Sequence, residues 1–405
     1  MTSAEAPSNP DVVVVGGGLA GLTAAALVAR AGKSVIVHEK RGVTGGDARS
    51  VTSDGFTFNQ GPHAFYRGGP AERVMTDLGV KLSGGQPPSK GKLVLGGQAQ
   101  IGPAGLWSLM RTKALKAKDK LEVAKLLATL PRLKAHNFAD QTANDWIGSA
   151  VSSEAATHMV HALVRLTSYG NHPERMSADV AIEQMQAGLG PGVLYLDGGW
   201  QRLVDQLAAS PGVHVRLDHG VSVLPDAPAV IIAGGGPKLA ESLLGRSYDV
   251  GPAAAVSCLD LGLHRRPDED LVIGADVPFY FSNHSSVAKL APDGQYHASV
   301  VQYLGPADEP DAEATRAFAK YGGVGDDDVI VSRRLHRMTA VSALPVAANG
   351  GLRGRPATTD TGHSNVFLAG DWVGPVGHLA DAVLASAEAA AAAAISTLEK
   401  RPVRT

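Results

Sequence analysis

Short β-branched runs alternate with helix-length stretches near the start of the chain, a pattern that predicts a parallel sheet flanked by helices. Residues 11–15 (Asp-Val-Val-Val-Val) form a nearly continuous apolar run, as expected of a central strand buried on both faces. An alanine-rich helix is predicted from Leu22 to Ala31, with Gly32 placed to close it. Residues 34–37 read as a second strand, and residues 229–233 and 366–369 read as further strands of the same kind. Residues 213–223 alternate like a half-exposed strand pair. Between these blocks, residues 104–187 read as largely helical. Residues 252–305 read as strand-rich, with Ala253–Leu263 and His297–Tyr303 as the clearest strands. The run from Ala380 to Ile395 is nearly all alanine but contains Asp381 and Glu388, so it reads as a buried helix rather than a membrane span.

Glycine placement turns this outline into a binding site. Gly16-Gly17-Gly18-Leu19-Ala20-Gly21 follows the first strand at once. Gly16 permits a tight turn, Gly18 lets the backbone approach a pyrophosphate, and Gly21 lets the helix pack on the strand. The helix N-terminus offers free N–H groups and the positive end of its dipole to phosphate. Glu39, just past the second strand, is placed to accept hydrogen bonds from a ribose. Strand, glycine turn, helix, strand and acid in that order predict a dinucleotide site.

The next segment selects the ligand. Six residues after Glu39 comes a second glycine turn, Gly45-Gly46-Asp47-Ala48-Arg49-Ser50, where a simple NAD domain would begin its next βα unit. A second turn with an arginine suits a longer dinucleotide, FAD, with Arg49 making a charge-assisted bond to the pyrophosphate. A third glycine turn, residues 233–236, is not followed by a helix-length run with a ribose acid. It is therefore read as a structural crossover and not as an NAD(P) site.

At these residues the sequence resembles the flavoprotein superfamily of phytoene desaturases, protoporphyrinogen oxidases and amine oxidases, above all its phytoene-desaturase-like branch. Glu39, Gly45, Gly46 and Ser50 match one motif of the superfamily, and Asp54, Gly55, Phe56, Gly61 and His63 match another. Leu194–Val204 resembles the segment that re-enters the FAD domain. Asn365–Val373 resembles the strand and turn that meet the flavin, and Gly377–Val383 the start of the last helix. The resemblance implies an α/β fold: a Rossmann-type, glutathione-reductase-like FAD-binding domain with a second α+β substrate domain. It places the FAD domain at about residues 10–70, 190–250 and 350–398, and the substrate domain at 71–189 and 251–349. The implied FAD-binding set is Gly16, Gly18, Leu19, Ala20, Gly21, Glu39, Lys40, Gly45, Gly46, Arg49, Gly61, Pro62, His63, Val221, Gly370, Asp371, His378, Leu379 and Ala380.

The implied activity is hydride exchange between an apolar substrate and the flavin, as in desaturation or saturation of a carbon–carbon bond. A flavin amine or amino-acid oxidase, a flavin-dependent isomerase and a non-catalytic FAD-binding protein are the alternatives. Amine oxidases carry a lysine on the strand that here corresponds to Pro252–Leu263, which has none, and aromatic residues are too few to suggest an amine cage. His63 and His378 are the candidate bases, each equally readable as a structural histidine. Tyr280, His284 and Lys289 are weaker candidates, in a segment that suits either a cavity wall or ordinary strand and turn.

Composition narrows the partners. With 37 basic and 39 acidic side chains, nothing suggests nucleic acid. The lone Cys258 excludes an internal disulfide and fits a reducing, cytoplasmic setting; no secretory signal is read in the first ten residues and no metal site is expected. An electron acceptor such as oxygen or a quinone is expected to dock transiently. One stretch, residues 104–130, interleaves Arg111, Lys113, Lys116, Lys118, Lys120 and Lys125 with Leu106, Trp107, Leu109, Met110, Leu115, Leu121, Val123, Leu126, Leu127 and Leu130. Only Asp119 and Glu122 oppose its charge. It reads either as a peripheral membrane contact or as the solvated face of a cap-domain helix.

Overall fold

The computed structural model describes residues 7–88, 90–102, 109 and 111–400. Its first sheet has five parallel strands in the spatial order Val213–Arg216, Val35–His38, Val12–Val15, Ala229–Ile232, Val366–Leu368. In chain order that is third, second, first, fourth, fifth. Strand order therefore reverses beside Val12–Val15, and the crevice at the carboxyl end of such a reversal is where α/β sheets bind ligands. Gly16 begins at that end. The four central valines are 0 to 6% exposed, as a strand covered on both faces requires.

The first helix runs Leu19–Arg30, three residues earlier than its apolar pattern suggests. Gly18 is its N-cap, so Gly21 lies inside the first turn, where a Cβ would run into the Gly16 carbonyl oxygen. The last helix, Leu379–Lys400, packs on the first one; Ala382, Ala387, Ala390, Ala391 and Ala394 are buried. It is the one helix among the described residues long and apolar enough to cross a bilayer, and half of that apolar stretch is buried in the fold.

Two expectations are corrected around this sheet. Only Val213–Arg216 is a strand within 213–223; the chain then turns, with Asp218 at φ +52° and the His219 N–H donating to the Glu39 carbonyl. The third glycine turn does lead into a helix, Gly236–Leu244. Its Gly234 nonetheless packs against Gly16: a Cβ on Gly16 would lie 2.7 Å from the Gly234 Cα.

The second sheet has seven strands, ordered Val329–Val341, Ala254–Leu263, Tyr296–Leu304, Phe279–Asn283, Leu271–Gly274, Lys92–Leu95, Gln98–Ile101. All neighbours are antiparallel except Leu271–Gly274 beside Lys92–Leu95. Helices Ala117–Thr129, Ala143–Ala150, Glu154–Ser168 and Ala178–Leu189 pack with one face of this sheet in the largest apolar cluster. The mixed α/β architecture is the one expected. The thirteen-residue strand Val329–Val341 was not anticipated, because its basic and apolar residues mark an exposed edge rather than a core strand.

Residues 104–130 settle into two parts. Leu106, Trp107 and Met110 lie outside the described residues. Leu109, Leu115, Val123, Leu126 and Leu130 are core residues, at most 5% exposed, whereas Leu121 is exposed, so most of the described apolar residues here pack into the protein's own interior.

Candidate active site

The cradle at the end of the first strand is built mainly from backbone. The first helix has no side-chain cap and no acidic residue in its first turn, so its N-terminal N–H groups face outward uncompensated. A Cβ on Gly18 would meet only the Gly45 carbonyl at 3.9 Å, which leaves open space above the turn. Gly45 and Gly46 approach from the other side in left-handed conformations, φ +118° and +56°, and the Gly45 N–H donates to the Gly17 carbonyl. Glu39 is buried; its Oε2 accepts from the Gly17 N–H at 2.7 Å and its Oε1 from the Arg41 N–H at 2.8 Å. Each oxygen keeps a further lone pair for a ribose hydroxyl. The Arg49 Nε is buried without a partner beside this turn. Lys40 is exposed and Val221 half-buried near the same edge.

The second arm of the site is the segment leading to His63. Gly61 packs on the Asp47 carbonyl so tightly that a Cβ would collide with it. Asn59 Oδ1 accepts from the Ser50 hydroxyl at 2.7 Å and the Trp200 N–H at 3.1 Å. The Trp200 indole N–H donates to the His63 carbonyl at 3.2 Å, and the His63 N–H donates to the Tyr169 hydroxyl oxygen at 3.3 Å. His63 is thus gripped at both ends of its peptide unit by residues far away in sequence. Pro62, beside it, is half-buried.

The third arm comes from the C-terminal end. Gly370 (φ +154°) donates its N–H to the Ser386 hydroxyl, and Asp371 Oδ2 accepts from the Ser342 N–H at 2.7 Å. Arg355 ties this turn together, donating to the Asp371 and Gly377 carbonyls at 2.9 Å each. Burial lowers its guanidinium to about 10. His378 is buried and its Nε2 lies 2.9 Å from the Ser168 carbonyl, which can only accept, so Nε2 carries the proton. Burial holds this histidine down at about 4, in the neutral form. The committed tautomer makes His378 a structural cap more readily than a proton carrier. Leu379 then opens the last helix at φ +50°, a left-handed conformation that a bulky residue adopts only under constraint, and Ala380 follows half-buried.

Behind His63 lies a group of buried polar side chains that motif reading missed. Asp260, on strand Ala254–Leu263, is fully buried and paired with Arg333 of the edge strand. The Arg333 guanidinium also donates to the Phe58 and Asn59 carbonyls and sits 5.1 Å over the Phe58 ring. The other Asp260 oxygen accepts from the Ser299 hydroxyl at 2.5 Å and the Cys258 thiol at 3.3 Å, and lies 4.0 Å from His297 Nε2. Burial pushes the Asp260 carboxyl up, but attraction to His63, Arg333 and His297 outweighs it and the net direction is down. The His63, His284 and His297 rings stand in a row, 4.5 and 5.1 Å apart, and the Tyr280 hydroxyl is 3.5 Å from His63 Nδ1. Atoms of His63, Cys258 and Asp260 lie within 4.8 Å of one another. Arg333 already supplies positive charge at that carboxylate. Lys289 lies apart, its N–H donating to Asp197 Oδ1.

The fold and these three arms define a flavin-dependent oxidoreductase architecture. The chain belongs to the flavin-containing amine oxidoreductase family, whose model matches residues 19–226, just over half of the chain. Its sequence is similar to the inactive all-trans-retinol 13,14-reductase of Danio rerio (49% identity over 59 residues) and the carotenoid 3,4-desaturase of Haloarcula japonica (42% over 72 residues). It is also similar to the coproporphyrinogen III oxidase of Propionibacterium freudenreichii (29% over 191 residues). These matches cover 15, 18 and 44% of this chain but only 10, 14 and 35% of the three relatives. Two solved structures share the fold: an oxidoreductase from Methanosarcina mazei (TM-score 0.70, 18% identity, 93% of this chain and 99% of that one) and putrescine oxidase bound to putrescine (TM-score 0.72, 16% identity, 96% and 99%). FAD is the cofactor of such proteins, and the residues present fit it. The uncapped helix end, the open space over Gly18 and the orphaned Arg49 Nε are what a pyrophosphate needs.

Proposed function

We propose that this protein is an FAD-dependent oxidoreductase that adds or removes hydrogen at a carbon–carbon bond of a small apolar substrate and exchanges electrons with a transient partner such as oxygen or a quinone. The observation that carries this reading is the sheet face turned toward the helices. Val256, Cys258, Tyr280, Val301 and Tyr303 on that face share one buried apolar cluster with Leu379 at the start of the last helix. Strand Ala254–Leu263 carries no lysine, and its one carboxylate, Asp260, is already paired. A substrate seated against that face would gain from apolar contact rather than from charge. The relatives named for retinol and carotenoids point the same way.

Bound FAD supplies the two-electron acceptor or donor. The N-terminus of the first helix and Arg49 hold its pyrophosphate, and Glu39 its ribose. The N-terminal end of the last helix favours negative charge at the site. His63 takes the proton that the substrate gives up.

A second reading, amine oxidation, is favoured by one observation. Although aromatic residues are few, three tyrosines gather: Tyr280 stacks on Tyr303 at 5.8 Å, and Tyr169 meets Tyr303 edge-on at 5.9 Å. Anaerobic mixing of the yellow protein with a panel of polyenes and amines separates the two. Bleaching by polyenes alone is the expected result, and bleaching by amines alone overturns the apolar reading. Turnover of a polyene without net electron consumption would mark an isomerase.

The basic face over residues 111–134 fits an anionic lipid surface from which an apolar substrate is drawn. Lys113, Lys116, Lys118, Leu121, Lys125, Arg132 and Lys134 are exposed. The nearby acids are mostly engaged elsewhere: Asp119 accepts from the Lys116 N–H, and Glu122 accepts from the Ser152 and Ser153 backbone while lying 3.8 Å from Lys118. Cosedimentation with anionic vesicles that is lost with added salt is expected, and equal binding to neutral vesicles would refute it.

A further inference from the structure

The group behind His63 has the layout of a charge-setting device rather than of a simple structural bridge. One Asp260 oxygen is given to Arg333, while the other is turned toward the histidines with Ser299 and Cys258 on it. A carboxylate split in this way presents negative charge on the histidine side and has its balancing charge on the far side. The guanidinium is in turn pinned by the Phe58 and Asn59 carbonyls, a few residues before His63 on the same segment. The distance from His63 to the charge pair is therefore fixed through the backbone as well as through packing. His284, between His63 and His297, has both ring nitrogens buried without a hydrogen bond; so does His297, whose Nε2 faces the Asp260 carboxylate only at 4.0 Å. An uncommitted imidazole in a dry site is costly unless something can use it.

We propose that Asp260, held by Arg333, is the positioning residue that sets the proton affinity of His63 and so lets His63 receive the proton released on substrate oxidation. This rests on the oxidoreductase reading above. The chemistry balances: one substrate C–H leaves as hydride with its electron pair to oxidised FAD. The neighbouring C–H gives its proton to neutral His63, its electron pair forms the C=C bond, and the imidazolium is stabilised by the carboxylate. Among the described residues, ionisable groups face His63 from several elements. Asp260 and Cys258 come from strand Ala254–Leu263, Arg333 from the edge strand, Tyr280 from Phe279–Asn283, and His284 from the turn after it. His297 comes from Tyr296–Leu304, and Tyr169 from the end of helix Glu154–Ser168. Burial lowers the His63 pKa, Asp260 works against that, and Arg333 adds to it.

The opposite signs of those two charges supply the test. Ring-nitrogen NMR of histidine-labelled, FAD-loaded protein, with the His63 signal identified by its loss in His63→Gln, reads the proton affinity of His63 directly. Asp260→Asn is expected to lower that affinity about tenfold or more, and Arg333→Gln to raise it by a similar factor. Arg333→Lys should restore the wild-type titration. A merely structural pair would move His63 in the same direction in both variants, or not at all, and either result overturns the proposal. If Asp260→Asn does not fold, the Arg333→Gln and Arg333→Lys pair decides alone. Because no substrate is needed, opposite shifts in a protein that oxidises no polyene would sink the substrate reading and leave the electrostatic role standing. Polyene oxidation without those shifts would do the reverse.

Discussion

The cradle and the buried charge group solve their problems with opposite materials. The cradle offers a ligand its own backbone: an uncapped helix end, two glycine turns and the open space over Gly18, with Gly16 and Gly21 allowing the close backbone packing beneath. Its carboxylate, Glu39, is stapled to neighbouring amides. The charge group uses almost no free backbone. It brings Asp260, Arg333, His63, His284 and His297 together from five separate segments, burying the carboxylate and the three histidines and leaving the guanidinium partly exposed. A site made of backbone is broken by added volume. A site made of buried charge is broken by a missing partner.

Asp260→Ala is the most severe test of this contrast. It leaves Arg333 without its counter-ion in a largely buried place, a loss of about 3–5 kcal/mol. Chemical denaturation should show this as a lower midpoint at unchanged slope; a loss under about 1 kcal/mol would mean that water already reaches the pair. Gly21→Ala tests the cradle. The added methyl meets the Gly16 carbonyl, and overpacking of this kind costs about 1–3 kcal/mol. The cofactor should go first, so the purified variant should carry less FAD per chain than wild type. Full flavin content with normal melting would contradict the close approach described for this turn.

A third test separates the two regions by pH. Asp381, at the start of the last helix, accepts from the Ala71 N–H yet is raised to about 6, by burial first and then by the nearby Glu72. A carboxyl raised in the folded state favours folding when protonated, so its contribution is complete below the unfolded value and fades as pH climbs through about 4 to 6. Asp381→Asn should therefore stabilise the protein at pH 8 by on the order of 1 kcal/mol and make little difference at pH 4. Melting curves at the two pH values check the sign. The smallest effect is expected at the surface: Arg73 binds Glu388 through two hydrogen bonds of 2.8 and 2.6 Å, but both side chains are about half exposed. Arg73→Ala should lose less than about 1 kcal/mol, an effect weakened further by salt.

The same contrast explains what could be read from the chain before folding. The cradle is local. Its turn, helix and acid lie within residues 12–39, each with a spacing that has one geometric meaning, and the fold places them as expected. The helix boundary was misjudged because Gly21 looks like part of the turn when it is in fact a packing residue of the first helical turn. The charge group has no such spacing. Arg333 sits in a strand whose alternating basic residues look like any solvent edge, and Asp260 in an otherwise apolar strand gives no hint of its partner until the two strands pair at Asp260 and Arg333. His63 was identified from its motif, but its environment was not. The tyrosines were too scattered for their meeting to be foreseen. The basic stretch is legible from composition, yet Leu109, Leu115, Leu126 and Leu130 belong to the core while Leu121 is exposed.

Leu379 is the residue where these two materials meet. Its backbone is forced into a left-handed turn at a cost of roughly 1–2 kcal/mol, while its side chain lies in the same apolar cluster as Tyr280 and Tyr303. The first turn of the last helix is therefore kept in its unfavourable shape by side-chain anchorage from the other half of the molecule. Loosening of the tyrosine layer would remove that anchorage, so the first turn of the last helix is expected to relax with it.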